Sequence, residues 1–198
     1  MPEMLASLIA FAVVATITPG GATALAAASG THFGFKSSLP LLLGISLGLA
    51  SVVGTVAAGL AALIRSAPVL ELGLRVAGSA YLLFLAWNIG RLGAPVMKPD
   101  ASAAPMRFLT GLLLLWLNPK AWAVAVAAAA AYSGLAASPL GLALLLSIVF
   151  GTAAVLSVSA WCAGGMWLAR RLRTERQWRA VNIVLALLLA ASIGPMWL

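Results

Sequence analysis

The sequence predicts an all-α integral membrane protein of six transmembrane helices, arranged as two inverted three-helix repeats with discontinuous first and fourth helices. Three observations carry this. Apolar residues make up 63% of the 198-residue chain and charged ones 8%, with a mean hydropathy of +1.09, which leaves too little polar surface to coat a soluble globule. The apolar residues fall into continuous runs of bilayer length, roughly 17 to 25 residues each. Two of these runs carry an internal proline beside polar or glycine residues, one hundred positions apart.

The runs are 4–28, 39–64, 69–89, 108–132, 140–167 and 181–197. They are continuously apolar, without the alternation of an outer-membrane strand, so helices are expected. They occupy nearly the whole chain as one transmembrane domain, 1–198. The first run follows Glu3 with no Lys or Arg before it and is long for a signal core, so it is expected to be a retained span.

The net charge of +8 lies between spans rather than on a folded face, and so reports topology instead of nucleic-acid binding. Lys36, then Arg91, Lys98 and Arg107, then Arg170, Arg171, Arg173, Arg176 and Arg179 follow spans one, three and five. Only Arg65 and Arg75 lie on the other side. Nine against two places those three loops in the cytoplasm and both termini outside. The Ala169–Arg179 stretch is expected at the lipid surface, and Glu71 and Arg75 have the spacing of a surface helical pair.

The punctuation repeats. Thr18-Pro19-Gly20 and Asn118-Pro119-Lys120 each sit in the first span of a half; Pro40 and Pro139 open spans two and five; Phe33 and Tyr132 fall in matching turns. Repeat one covers 1–98 and repeat two 105–198. With three spans apiece, an odd number, the second half enters the membrane inverted, as in many secondary transporters.

A proline removes a backbone donor and clashes with the preceding turn, leaving carbonyls and amides that lipid does not satisfy. Gly20 and Gly21 loosen the first break further. A half-helix N-terminus at such a break offers amides and partial positive charge to an anion. Lys120 is the one charged residue well inside a span, where an isolated ammonium costs around 3 kcal/mol on insertion scales and therefore faces a cavity or a partner. Asn118 and Thr18 are its natural companions. Thr18, Pro19, Gly20, Asn118, Pro119 and Lys120 are thus the candidate substrate-binding residues.

Glu3, Glu71, Asp100 and Glu175 all lie at ends or in loops, and the sole His32 is expected in a loop. No acid is available at midplane, and no cluster supports a metal, a cofactor or acid–base catalysis, so an enzyme is not expected. Cys162 reads as a small packing residue. Gly44 with Gly48, Gly54 with Ala58, and Gly164 with Gly165 are candidates for close helix approach. Trp87, Trp161, Trp167, Trp178 and Trp197 lie towards span ends, where indoles favour the interface; Trp116 and Trp122 flank the second break and are assigned to packing.

Along its whole length the chain resembles the lysine exporter (LysE/RhtB) family of amino-acid translocators. Thr18-Pro19-Gly20 resembles the family's first-span motif and Ala77-Gly78-Ser79-Ala80-Tyr81-Leu82 its third-span segment. The run from Phe108 and Gly111 to Asn118-Pro119-Lys120-Ala121-Trp122 is similar to its fourth-span signature, and Gly30, Gly34, Gly44, Gly48 and Gly54 fit its glycine pattern. Family members usually continue the first motif with a second proline and an asparagine, where this chain has Gly21 and Ala22, and often carry an acid where it has Leu49.

The resemblance implies export of amino acids or close derivatives across the inner membrane, with the substrate carboxylate expected near Lys120 and its amine near the freed carbonyls and Thr18, and the missing membrane acid favours small neutral or homoserine-like substrates over lysine or arginine. The partners implied are a small-molecule substrate and membrane lipid, with no nucleic acid and with a homo-oligomer left open. A non-transporting membrane scaffold is the competing reading. A polar cavity reaching Asn118 and Lys120 separates the two.

Overall fold

The computed structural model describes residues 2–60, 68–91 and 105–191, and every regular element among them is helical. Helix α1 is Pro2–Ile17 and α2 is Gly21–Thr55, continued by a π-helical turn over Val56–Leu60. Helix α3 is Pro68–Gly90, α4 Phe108–Trp116 and α5 Pro119–Ala131. A 3-10 turn, Ser133–Leu135, leads to α6, Pro139–Ala169, and α7 is Glu175–Ala191. Two helical stretches, Gly21–Gly59 and Pro139–Ala169, are each long and apolar enough to cross a membrane. They become three if Phe108–Trp116 and Lys120–Ala131, bent by 63° at their break, form one span.

Both expected breaks are present. The first interrupts the helix over residues 18–20 and the second over 117–118. A feature the hydropathy pattern did not reveal lies inside α2. Gly34 has φ 75° and ψ 174°, a region essentially closed to residues with a Cβ. The Ser29 and Ser38 hydroxyls lie 2.7 Å apart, although nine residues of straight helix would separate them by about 13 Å. The helix therefore folds back at Gly34 into a first leg, 21–33, and a second leg, 35–55. Pro40 accordingly lies inside the second leg and does not open it, whereas Pro139 does open α6 behind its Ser138 cap. Phe33 directly precedes the corner, and Tyr132 ends α5 before the 3-10 turn.

The core is built where both legs of α2 meet α4 and α6, with Leu25, Leu41, Ile45, Leu114, Leu146 and Phe150 fully buried. Missing side chains bring these helices together. A Cβ on Gly44 would run into the Phe108 carbonyl, one on Gly111 into the Leu41 carbonyl, and one on Gly165 into the Ala27 carbonyl. Gly164 instead faces open space, so of the pair expected in span five only Gly165 makes a close approach. Cys162 is buried against Gly30, as a packing residue should be.

Three placements differ from expectation. His32 is helical, not in a loop; its Nε2 lies 2.9 Å from Asn182 Oδ1 on α7, and its ring lies beside Trp178. Trp178 is thereby buried instead of interfacial. Trp161 turns inward to α1. Trp87 and Trp167 are exposed as expected, each with an arginine one turn later, Arg91 and Arg171, 5.2 Å from the ring. The Glu71 and Arg75 side chains, Arg65, Lys98, Asp100, Trp197 and the ends of the second and sixth expected spans lie outside the described residues.

The glycines make distinct predictions for thermal unfolding in detergent. Gly34→Ala, at a site with open space but a forbidden backbone, should cost about 1–3 kcal/mol. Gly44→Ala should cost about as much through forced separation of α2 and α4, while Gly164→Ala should be neutral or stabilising by up to about 1 kcal/mol.

Candidate functional site

The two breaks face one another across a cavity of about 60 Å³, space for several waters at roughly 10–15 Å³ each. Thr16, Thr18, Gly20, Gly21 and Thr23 line it from the first break, and Asn118, Lys120 and Ala121 from the second. Ile45, Leu49, Leu115, Val124, Ala154 and Val158 form an apolar remainder. Of the six candidate residues, Thr18, Gly20, Asn118 and Lys120 come together here. Pro19 and Pro119 shape the backbone around them, Pro19 in the exposed link and Pro119 as the first residue of α5.

Lys120 joins the breaks. Its Nζ donates to the Thr18 carbonyl at 3.3 Å and would sit 3.4 Å from a Cβ on Gly20, so the glycine leaves the ammonium its room. Asn118 is 3% exposed and caps α5, its Oδ1 accepting from the Lys120 backbone N–H at 3.0 Å. Proline follows it because the first helical position has no use for a donor. At the other helix start, the Thr23 hydroxyl accepts from the Gly20 N–H at 2.8 Å and donates to the Gly20 carbonyl at 2.9 Å. The starts of α2 and α5 thus both border the cavity, bringing the positive ends of two helix dipoles to it.

Most carbonyls around the end of α1 are already occupied, while Ala15, whose carbonyl loses its helical donor at Pro19, lines the cavity. Val14 accepts from Thr18, Thr16 from the Ser157 hydroxyl at 2.8 Å, Ile17 from the Trp161 indole at 3.2 Å, and Thr18 from Lys120. Those four carbonyls each hold a donor of the protein's own, whereas the Thr16 and Thr18 hydroxyls donate to carbonyls of α1 and keep lone pairs with which to accept. At the second break, Trp122 Nε1 donates to the Trp116 carbonyl at 2.8 Å, Trp116 Nε1 donates to Ser51, and the two rings meet edge to face at 5.7 Å. These tryptophans are part of the break's closure, in keeping with the packing role read from sequence.

Sequence reasoning missed Ser157 and assigned Trp161 to the interface instead of to the break. Their i, i+4 spacing, with Ser147 ten residues earlier on α6 bonding the Ala50 carbonyl, was the available signal of a polar seam on an apolar helix. Asn182, fully buried against His32, was also missed. Among the described residues no group of three or more His, Cys, Asp or Glu could hold a metal.

The family model for LysE type translocators matches residues 13–192. The chain is 30% identical over 191 residues to the cysteine/O-acetylserine efflux protein of Escherichia coli (strain K12), covering 95% of this chain and 94% of that one. Proteins with the same name are similar to it in Salmonella typhimurium, at 29% over 189 residues, and in Shigella flexneri, at 30% over 191, with the same coverage. No solved structure matches significantly.

Ser157→Ala strips the Thr16 carbonyl of its donor, and Trp161→Phe does the same to Ile17. Each should lower stability by about 0.5–1.5 kcal/mol and should loosen the end of α1, which hydrogen exchange at Ile17 and Thr18 would register as faster amide exchange than in wild type.

Proposed function

The chain belongs to the LysE family of translocators, and from that premise we propose that it exports amino acids or close derivatives with small, uncharged side chains from the cytoplasm across the inner membrane. The observation that carries this is the meeting of both helix breaks at one cavity, with Lys120 bridging them. Carriers need such a site between halves that move against each other, and discontinuous helices supply the charge for it. A packing kink needs no such cavity, so the scaffold reading loses ground.

The proposed architecture is six spans in two inverted repeats, 1–98 and 105–198. Its support is the order of elements. Helix α1, a break, the first leg of α2, a corner, the second leg and α3 repeat as α4, a break, α5, a turn, α6 and α7. With the loops after spans one, three and five in the cytoplasm, the Gly34 corner faces inward and the Ser133–Leu135 turn outward. In this reading Thr18, Pro19, Gly20, Asn118, Pro119 and Lys120 form the binding site, with the substrate carboxylate at Lys120 and the α5 N-terminus. Alternating access moves the halves around that point. Cysteine and O-acetylserine, after the names of the relatives, are the first compounds to test.

Cells overproducing the protein and challenged with dipeptides of cysteine or serine should release more of the free compound into the medium than cells without it. Lys120→Ala should cut that release roughly tenfold or more, and Pro19→Ala should slow it by restoring a continuous helix. Wild-type release by both variants would remove the breaks from the site.

A further inference from the structure

Resting on the exporter reading, we propose that the N-terminal half of α1 is the gate closing one end of the cavity, with Phe11, Tyr132 and Phe150 as its plug and the Ser7–Tyr132 hydrogen bond as its latch.

The register of three helices places the rings between the cavity and the end of the bundle where α1 begins. On α1, Ala15 lines the cavity and Phe11 lies one turn farther out; on α6, Ala154 lines it and Phe150 is one turn farther out, about 6 Å in each case. Helix α5 runs away from its break as α1 runs towards its own. Val124 lines the cavity on α5, and Tyr132 stands about 12 Å beyond it. The rings meet there. Phe11 lies 6.1 Å from Tyr132 and 6.0 Å, edge to face, from Phe150, contacts that hold rings together beyond the area they bury. The buried stripe of α5 is Ala121, Ala125 and Ala128 before it reaches Tyr132, so the bulk facing these alanines comes from rings. Such an apolar layer stops a solute with charged ends, which would lose its hydration there.

Helix α1 is held differently at its two ends. At the break, the carbonyls of Thr16, Ile17 and Thr18 take Ser157, Trp161 and Lys120. Farther out the helix packs on α6 and reaches the end of α5 through two side chains, Phe11 and Ser7, whose hydroxyl lies 3.1 Å from that of Tyr132. Leu5, Ile9 and Val13 on its other face are exposed. Swinging the outer part about the pinned break withdraws Phe11 from Tyr132 and Phe150 and opens the layer. The swing breaks one hydrogen bond and two ring contacts, a difference small enough for both states to be populated.

The test is side-specific thiol labelling of the full chain carrying Cys162→Ala and Val124→Cys, so that its one cysteine lies on the cavity wall. A membrane-impermeant, anionic methanethiosulfonate is added to intact spheroplasts or to inside-out vesicles, which present opposite faces. Tyr132→Phe removes one oxygen and keeps the ring. It should raise the labelling rate roughly three- to tenfold from the face on which an N-terminal epitope tag is exposed, and should not raise it from the other. Ser7→Ala should match it, and the two together should add nothing further, because both remove the same bond. Phe11→Ala should raise the rate at least as far. Rates within about twofold of the parent for Tyr132→Phe, or an equal rise from both faces, overturn the gate and leave the exporter reading standing. No release by wild type in the dipeptide challenge overturns the exporter reading and the gate with it. Tyr132→Phe decides the matter even if Phe11→Ala does not fold.

Discussion

Everything around the cavity follows from one constraint, that backbone groups released by a proline inside an apolar medium must find partners within the protein. Two breaks release two sets of such groups, and the chain answers each differently. At the first, the carbonyls of Thr16, Ile17 and Thr18 are taken up by side chains from elsewhere, Ser157 and Trp161 of α6 and Lys120 of α5. The second break is closed locally, by Trp122 on Trp116 and Asn118 on its own helix start. The first break is therefore tied to the rest of the bundle, and the second is self-contained. Lys120 spans the two because a cation at a helix start finds its complement at the carbonyl-rich end of another helix.

How much of this was legible in the sequence depended on whether the signal was local. Pro19 and Pro119 act on their own turns, so both breaks fell where the sequence placed them, and Asn118 and Lys120 were found because polar groups in an apolar run are conspicuous. The Gly44 approach was readable from a small residue at helical spacing. The Gly34 corner was not, since an unbroken apolar context continues on both sides and only the positive φ distinguishes that glycine from its neighbours. Ser157 and Trp161 were hidden for another reason: their partners lie about 140 residues away in sequence, and a serine or an indole in a membrane helix has many ordinary explanations. His32 was misplaced because a loop boundary drawn from hydropathy gave no sign of the buried Asn182 that draws the ring into the bundle.

The same distinction shapes the chemistry of the cavity. From sequence alone, a broken helix advertises both poles, free amides on one side and free carbonyls on the other. The fold satisfies part of each. What remains open is Asn118 Nδ2 and the Lys120 ammonium on the donor side and the Thr16 and Thr18 hydroxyl oxygens on the acceptor side, set in a wall of Ile, Leu and Val.

The corner at Gly34 makes the first leg of α2 a lever. Its fulcrum is pinned by the Ser29 and Ser38 hydroxyls, and its far end, about 20 Å away at 1.5 Å per residue, is the helix start beside Gly20. A tilt of about 10° at such a fulcrum carries the tip roughly 3–4 Å, comparable to the small element shifts by which bistable bundles switch. Two serines and one glycine thereby fix the angle between the legs, and with it the position of a helix start about 20 Å away.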